Sequence, residues 1–366
     1  MGEGVRDRLR QSAGTLWPPV GGPVAVAPTV LGRNQLTRSY QGGARIRRLR
    51  GSSGTGGGPE DWVGSTTTTL GSDSQGLSRL PNGRFLRDAI EADPVSFLGT
   101  EHVQKWGPNP ALLVKLLDAG ERLPVHFHPG RRFAREALGL GFGKTEAWLI
   151  VAAEADAVVH LGLKGEVTRS TVSGWVREQD VSAMLAALHE LPVSPGQVLF
   201  VPAGTLHAIG AGILMVELQE PIDLSVLLEW ERFGVDDGAE HLHLGWERVL
   251  AAVDLTPSSA GELVAQDAAG AQPGPVAELL PAHAQPYFRA QRIVVDGDPV
   301  QLEPSFAILI VLEGRLMVCS DRAQPLELRT GQTALVPFGA GNCTIEGHAT
   351  VIRCLPPATG AGPGRW

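Results

Sequence analysis

Four side chains in the middle of the chain could bind a metal ion: His126, His128, Glu146 and His207. Successive side chains of a β-strand point to opposite faces, so residues i and i+2 share one face. His126 and His128 on a strand would therefore point two imidazoles into the same space. Three imidazoles and one carboxylate suit a divalent transition metal such as zinc. We expect these four residues to hold one metal ion per chain.

Strands and tight turns must position these ligands. The segment that leads to His207 begins at Gly196 and passes through Pro202-Ala-Gly204. Proline and glycine at this spacing indicate a strand closed by a turn, with the histidine just beyond it. The apolar run from Ala147 to Ala153 follows Glu146 directly and predicts another strand.

The spacing of these residues resembles the two cupin motifs: Gly120, five residues and His-x-His with a later glutamate, then a glycine, five residues and Pro-x-Gly-x-x-His. The gap between His128 and Glu146 is longer than in the common cupin pattern. It ends in Gly-Lys-Thr-Glu-x-Trp, from Gly143 to Trp148, which is similar to the type I mannose-6-phosphate isomerases. The resemblance covers about residues 28 to 357. It implies a mainly β fold, a double cupin of two antiparallel barrels with helical insertions.

The resemblance also implies catalytic residues. Lys144 matches the lysine of that family, and Glu217 and Asp223 lie in a segment that resembles its Glu-x-Gln stretch and the acid that follows. Either carboxylate is a candidate base, and the sequence does not choose between them. The family's active-site arginine is missing, because Leu227 stands at its position. We consider Arg232, the nearest arginine downstream, as its replacement.

Three further segments bear on this site. His126 stands where the family usually has glutamine, and an imidazole nitrogen there leaves the site competent for zinc. Arg131 and Arg132 follow the metal histidines and are considered for sugar-phosphate binding, with a solvated charged face as the alternative. The segment from Glu60 to Ser65 resembles the Glu-x-Trp-x-x-Ser strand that flanks the active site in the family; a plain edge strand is the alternative.

The chain divides by composition and motif into five segments. Gly331, five residues and Pro-x-Gly repeat the second cupin frame, but Asn342 stands where histidine should be, so this barrel is expected to bind no metal. An amphipathic helix is predicted over Val181–Leu191. The segments are a disordered extension over 1–27, a metal-binding catalytic cupin domain with helical insertions over 28–245, a helix and linker over 246–275, a C-terminal metal-free cupin barrel over 276–358 and a tail over 359–366.

Composition narrows the class of protein. The chain has 366 residues, 43% hydrophobic content and a formal net charge of −8, which suits a soluble globular protein and argues against a general nucleic-acid binder. Its 3 cysteines lie far apart and indicate a reduced, cytoplasmic setting. No apolar run approaches the length of a membrane span. We expect a small phosphorylated sugar as partner, no nucleic acid and no membrane, and a monomer or homodimer.

Taken together, these expectations predict a metal-dependent aldose–ketose isomerase that works through an enediolate. Its substrates would be mannose 6-phosphate and fructose 6-phosphate, or a close phosphosugar relative. Such chemistry needs a base that moves a proton between C1 and C2 and an electrophile that stabilises the enediolate. One alternative is a cupin that binds a sugar or metabolite without isomerising it, which the arginine missing at Leu227 favours. A weaker alternative is a metal-dependent cupin dioxygenase, because three-histidine, one-glutamate sites occur in cupins that use iron or manganese.

Overall fold

The computed structural model describes residues 27–52, 57–235, 238–266 and 274–360 and is mainly β. Every strand pairing within these residues is antiparallel. The strands in chain order are β1 Thr29–Leu31, β2 Gln35–Leu36, β3 Glu60–Val63, β4 Leu113–Ala119, β5 His126–Phe127, β6 Glu146–Ala153, β7 Val158–Leu163, β8 Leu188–Pro192, β9 Val198–Val201, β10 His207–Ile209, β11 Ile213–Gln219, β12 Val226–Leu227, β13 Val264–Gln266, β14 Val276–Glu278, β15 Arg289–Asp296, β16 Val300–Leu302, β17 Ala307–Ser320, β18 Ala323–Arg329, β19 Thr333–Val336 and β20 Cys343–Leu355.

Two of the three sheets position the predicted site. The first runs in the order β13-β9-β6-β11-β4-β3-β2 and the second in the order β12-β5-β10-β7-β8. All residues of the central strands β4 and β11 are buried, because the third sheet and the second sheet cover them. Buried polar side chains interrupt these apolar strands, among them Lys115 and Glu217. The two sheets meet where His128 and His207 contact Glu146.

The third sheet runs in the order β1-β19-β17-β20-β15-β14, with β16 on β20 and β18 on β17. Its first strand comes from the opposite end of the chain, and Thr29 pairs with Leu335. Buried side chains of the first and third sheets form one hydrophobic core, which includes Leu116, Phe288 and Ile308. The third sheet also has a separate hydrophobic cluster of its own, which includes Ile293, Leu309 and Ile345, so the first cluster joins the two predicted units across their boundary.

Two predicted segments behave differently in the structure. The predicted linker over 246–275 contributes β13, which pairs with β9 in the first sheet. The helix predicted over Val181–Leu191 ends at Ala187, because Leu188–Pro192 pairs with β7 as strand β8. Pairing across the sheet outweighs the helical spacing of those apolar residues. The predicted disordered extension lies outside the described residues except for Ala27, and so does the tail beyond Gly360.

Short helices fill the connections between strands, and none in the described part of the chain is long and apolar enough to cross a membrane. The helices are α1 Arg45–Leu49, α2 Leu86–Ala92, α3 Pro94–Leu98, α4 Thr100–Trp106, α5 Arg131–Phe133, α6 Arg169–Glu178, α7 Val181–Ala187, α8 Trp246–Val249 and α9 Ala260–Leu263, with a π-helical turn at Ala134–Leu138 and 3-10 turns at Glu231–Phe233, Leu250–Ala252, Ala282–Ala284 and Phe338–Ala340.

Candidate active site

A pocket of about 470 Å³ opens between the first and second sheets. Glu60, Lys115, Glu146 and Glu217 enter it from four neighbouring strands of the first sheet, and His126 enters it from the second. A cavity of this volume, lined by a few convergent polar groups, is typical of a small-molecule site.

Three histidines of the second sheet meet beside this pocket. His126 lies directly opposite His207 in the β5–β10 pair, and His128 follows the end of β5. The His126 and His207 ring centroids are 4.0 Å apart, and those of His126 and His128 are 4.8 Å apart. One nitrogen of each ring lies within 4.8 Å of the others, and all three side chains are buried. The predicted i, i+2 arrangement thus places two imidazoles in one space.

Each imidazole is oriented by a hydrogen bond from Nδ1 to a backbone carbonyl, so its Nε2 is left for another partner. This arrangement is the one that orients metal-binding histidines. The buried Nε2 of His207 has no hydrogen-bond partner in the part of the chain that the structure describes. The backbone carbonyl oxygens that accept these Nδ1 hydrogen bonds belong to Pro124 for His126 at 2.8 Å, to Leu224 for His128 at 2.8 Å and to Thr205 for His207 at 2.9 Å.

Burial keeps all three imidazoles neutral. Desolvation lowers the pKa of His207, lowers that of His128 to about 3 and holds that of His126 well below its usual range. The neighbouring imidazoles add to the effect at His126. A neutral imidazole keeps the lone pair that a metal ion needs.

Glu146 completes the predicted ligand set at the start of β6. Its Oε1 lies 3.2 Å from Nε2 of His128, and its Oε2 lies 3.8 Å from Nε2 of His207. Lys144 joins the same cluster, since its Nζ lies 2.8 Å from Oε1 of Glu146 and 3.0 Å from Nε2 of His128. The structure therefore brings together the four predicted ligands and the predicted lysine, and the three histidines could hold one metal ion.

Glu217 lies in the first sheet, next to Glu146. Its Oε1 is 3.6 Å from Nζ of Lys115. Burial, opposed by Lys115 and helped by Glu146, raises the pKa of Glu217 to about 8.

Asp223 lines the pocket in a different environment. Both its oxygens accept from Arg38, at 2.8 Å from Nη2 and 3.0 Å from Nη1. Burial opposes ionisation, yet the Arg38 guanidinium holds the pKa of Asp223 well below its usual range. Arg38 also lies 3.3 Å from Oε1 of Glu60. Against the effect of burial, Arg38 and Lys115 lower the pKa of Glu60 to about 2.

The amino-acid sequence of the chain is similar to that of known proteins. A family profile described as "Mannose-6-phosphate isomerase, cupin domain" matches residues 281–356. Mannose-6-phosphate isomerase ManA of Bacillus subtilis is 26% identical over 246 residues, which cover 66% of this chain and 73% of that protein. Mannose-6-phosphate isomerase of Streptococcus mutans is 30% identical over 205 residues, 52% of this chain and 57% of that protein.

The chain is therefore similar in sequence to mannose-6-phosphate isomerases, and its fold is similar to theirs as well. The crystal structure of the mannose 6-phosphate isomerase from Bacillus subtilis matches with a TM-score of 0.70 at 21% identity, over 90% of this chain and 99% of that one. A putative mannosephosphate isomerase from Archaeoglobus fulgidus matches with a TM-score of 0.70 at 20% identity, over 90% of this chain and 98% of that one. These likenesses confirm the predicted mainly β, cupin-type fold. The sequence similarity to these isomerases indicates an isomerase-like enzyme.

Arg232, which we considered as the replacement for the missing arginine, lies away from the pocket. Leu227 does line the pocket, at the position where the family resemblance implied an arginine. Arg232 instead pairs with Glu121 at 2.9 Å, and 53% of its side chain is exposed. Its backbone belongs to a 3-10 turn outside the second sheet, so the side chain does not reach back to the cavity.

Arg131 and Arg132 do not line the pocket either. The buried Arg131 pairs with Glu220 and lies over the ring of Tyr287, while Arg132 pairs with Glu136 on the surface. For Arg132 the alternative of a solvated charged face describes what the structure shows. Arg131 is instead a buried ion-pair residue.

Two pocket residues escaped the sequence analysis. Arg38 meets Asp223 across a separation of 185 residues, and no local pattern signals such a contact. Lys115 gave a weak signal, since it is the one cation in the apolar β4 segment. Glu60 was noted through its resemblance to the strand that flanks the family's active site, and it does line the pocket.

Proposed function

We propose that this chain is a metal-dependent aldose–ketose isomerase that interconverts mannose 6-phosphate and fructose 6-phosphate through an enediolate. The observation that supports the proposal best is the buried cluster of His126, His128 and His207 beside Glu146, next to the pocket of a chain that is similar to isomerases. We take the substrate and the product from the names of the relatives, which are mannose-6-phosphate isomerases.

The donor set fits a divalent metal ion. His126, His128, His207 and Glu146 would hold it, because the imidazoles are neutral, are oriented through Nδ1, and include a buried Nε2 without a hydrogen-bond partner. A bound ion such as zinc supplies Lewis-acid stabilisation for negative charge that develops on the sugar oxygens. Zinc as the resident metal remains a proposal.

Glu217 is the better proton carrier of the two candidates. Both oxygens of Asp223 are held by Arg38, whereas the buried Oε2 of Glu217 has no hydrogen-bond partner among the described residues. Its raised pKa, near the working pH, also suits general acid–base catalysis. In this role the ionised carboxylate of Glu217 takes the proton from C2 of the aldose and returns it to C1, while the hydroxyl proton of O2 passes to O1, which yields the ketose.

Lys144 stabilises the charge that this proton transfer creates. Its ammonium group lies within 3.0 Å of His128 and 2.8 Å of Glu146, so it is next to the position where the sugar oxygens would bind. A fixed positive charge at that point lowers the energy of the enediolate relative to the aldose.

The test is an assay of the purified, metal-analysed protein against mannose 6-phosphate and fructose 6-phosphate, with other hexose and pentose phosphates beside them. We expect interconversion that a chelator abolishes and added zinc restores. Metal-loaded protein without turnover on any of these sugars would reject the isomerase. Iron content with oxygen uptake would indicate the dioxygenase instead. The cytoplasmic location and the monomer or homodimer remain predictions, and light scattering measures the latter.

A further inference from the structure

Arg38 is the one arginine among the described residues that line the pocket. It follows β2 near the start of the chain, whereas the arginine implied by the family resemblance would have come from position 227. Its guanidinium is fixed by the bidentate contact with Asp223, four residues before Leu227. The pocket therefore has a guanidinium next to the segment that lacks one, supplied by a distant part of the chain.

The guanidinium of Arg38 keeps donors for a ligand. Arginine has five N–H donors, of which Asp223 accepts one from Nη1 and one from Nη2. Nε faces Glu60 at 3.3 Å. The second N–H of each terminal nitrogen remains, and 23% of the Arg38 side chain is exposed, so it borders the open cavity.

The surrounding charges indicate which ligand atoms these donors suit. Arg38 and Lys115 are matched by Glu60 and Asp223, so this wall of the pocket presents N–H donors without net positive charge. A phosphate dianion gains most from an uncompensated cation, whereas a neutral hydroxyl oxygen needs only a well-placed donor. The wall therefore fits the hydroxyl groups of a sugar better than its phosphate.

We infer that Arg38 is a substrate-binding residue that donates hydrogen bonds to sugar hydroxyl oxygens, in place of the arginine that is missing at Leu227. The inference rests on the proposed function in that the ligand is a sugar. Asp223 acts here as a positioning residue, because its bidentate contact fixes the plane of the guanidinium.

Binding of open-chain hexitols to the zinc-loaded full-length protein tests this role without requiring turnover. The probes are D-mannitol and D-mannitol 1-phosphate, measured by titration calorimetry. Arg38→Lys keeps the charge but loses the planar fork. The double variant Arg38→Met/Asp223→Asn removes both charges, so that neither is left unpaired. Arg232→Met is the matched control, since it removes an arginine that is paired with a carboxylate outside the pocket.

We expect both Arg38 variants to bind each hexitol about 10- to 100-fold more weakly, as for the loss of hydrogen bonds from a charged donor, with the control within about twofold of wild type. Wild-type affinity in the folded Arg38→Lys or double variant would overturn the inference. Loss confined to the phosphorylated hexitol, or no hexitol binding by wild-type protein, would overturn it too. Hexitol binding that depends on Arg38 in a protein without turnover on mannose 6-phosphate would reject the isomerase and keep the inference.

Discussion

Lys115 and Glu217 face each other directly across β4 and β11, with Nζ 3.6 Å from Oε1. Lys115 also contacts Glu60, which contacts Arg38, and Glu217 lies on the strand that pairs with the strand of Glu146. These five residues form a buried row of mostly alternating charge from the N-terminal segment to the predicted metal ligands. Removing one member leaves its neighbour with an uncompensated buried charge, which is costly. Stability and activity should therefore respond together to substitutions along the row.

Replacing a single histidine of the proposed site should remove most of the bound metal. His128→Ala and His207→Ala each delete one of four proposed ligands, so we expect most bound zinc to be lost in both, as measured by elemental analysis. His189→Ala is the control, because His189 bonds to the backbone carbonyl of Ser258 away from the cluster. Stoichiometric zinc in both ligand variants would show that the site is assigned wrongly.

Turnover should depend on Glu217 as the proton carrier. Glu217→Gln keeps the shape of the side chain but cannot exchange a proton, and we expect turnover to fall by about 10²- to 10⁴-fold with bound zinc retained. Exchange of the C2 proton with solvent deuterium should fall equally. Glu229→Gln, at a buried carboxylate paired with Arg122, is the control for stability loss alone. Proton exchange that survives in Glu217→Gln would transfer the role to another group.

Lowering the pH should reduce the difference in the free energy of unfolding between the wild-type protein and the Arg38→Met variant. The folded-state pKa of Glu60 is lowered to about 2 and that of Asp223 is also depressed, so their contribution is present above the unfolded values near pH 4 and is lost as the pH falls toward 2. Without Arg38 both folded-state values rise. We expect metal-free Arg38→Met to be about 2 to 4 kcal/mol less stable at pH 7, discounted for partial exposure of Arg38, with a smaller difference near pH 3.

Urea unfolding at several pH values measures this difference in the free energy of unfolding. Arg232→Met serves again as the control, because its exposed pair with Glu121 should contribute at most about 1 kcal/mol and show no comparable pH dependence. A constant difference between pH 7 and pH 3 for Arg38→Met would mean that the two carboxyl groups do not depend on Arg38.

The shared core should make the sheets unfold together. Phe288 is fully buried in the cluster that joins the first and third sheets, so Phe288→Ala should cost about 3 to 5 kcal/mol. Phe338→Ala is the control, since 39% of Phe338 is exposed and about 0.5 kcal/mol is typical of surface changes. We expect urea unfolding followed by two spectroscopic probes to show coincident transitions for Phe288→Ala. Separate transitions for the two sheets would contradict a common core.

The metal cluster could be predicted from sequence because each part of it is local. The i, i+2 pair of His126 and His128 follows from the period of a strand, and the Pro-x-Gly turn before His207 has its own residue signature. The position of Glu146 followed from the family resemblance at the start of an apolar run. All these signals lie within a few residues of the side chain that they place.

The rest of the pocket depends on contacts between distant parts of the chain. Arg38 reaches Asp223 only because β2 joins the edge of the first sheet, and a side chain in that loop carries no periodic signal of its own. Arg232 was chosen for its closeness in sequence to Leu227, yet a 3-10 turn directs it to the surface. Similarly, residues that were predicted to be helical form strand β8, because they pair with the edge of β7.

Strand β1 has a consequence for how the protein is made. Its partner β19 begins at Thr333, so about 300 residues separate the two halves of the pairing. At a synthesis rate of about 5 to 20 residues per second, β1 leaves the ribosome about 15 to 60 seconds before its partner exists. During that interval the backbone of β1 has no strand to pair with on the side that β19 later occupies. Nascent chains released before residue 333 should therefore expose this segment to chaperones, proteases and strand-to-strand aggregation.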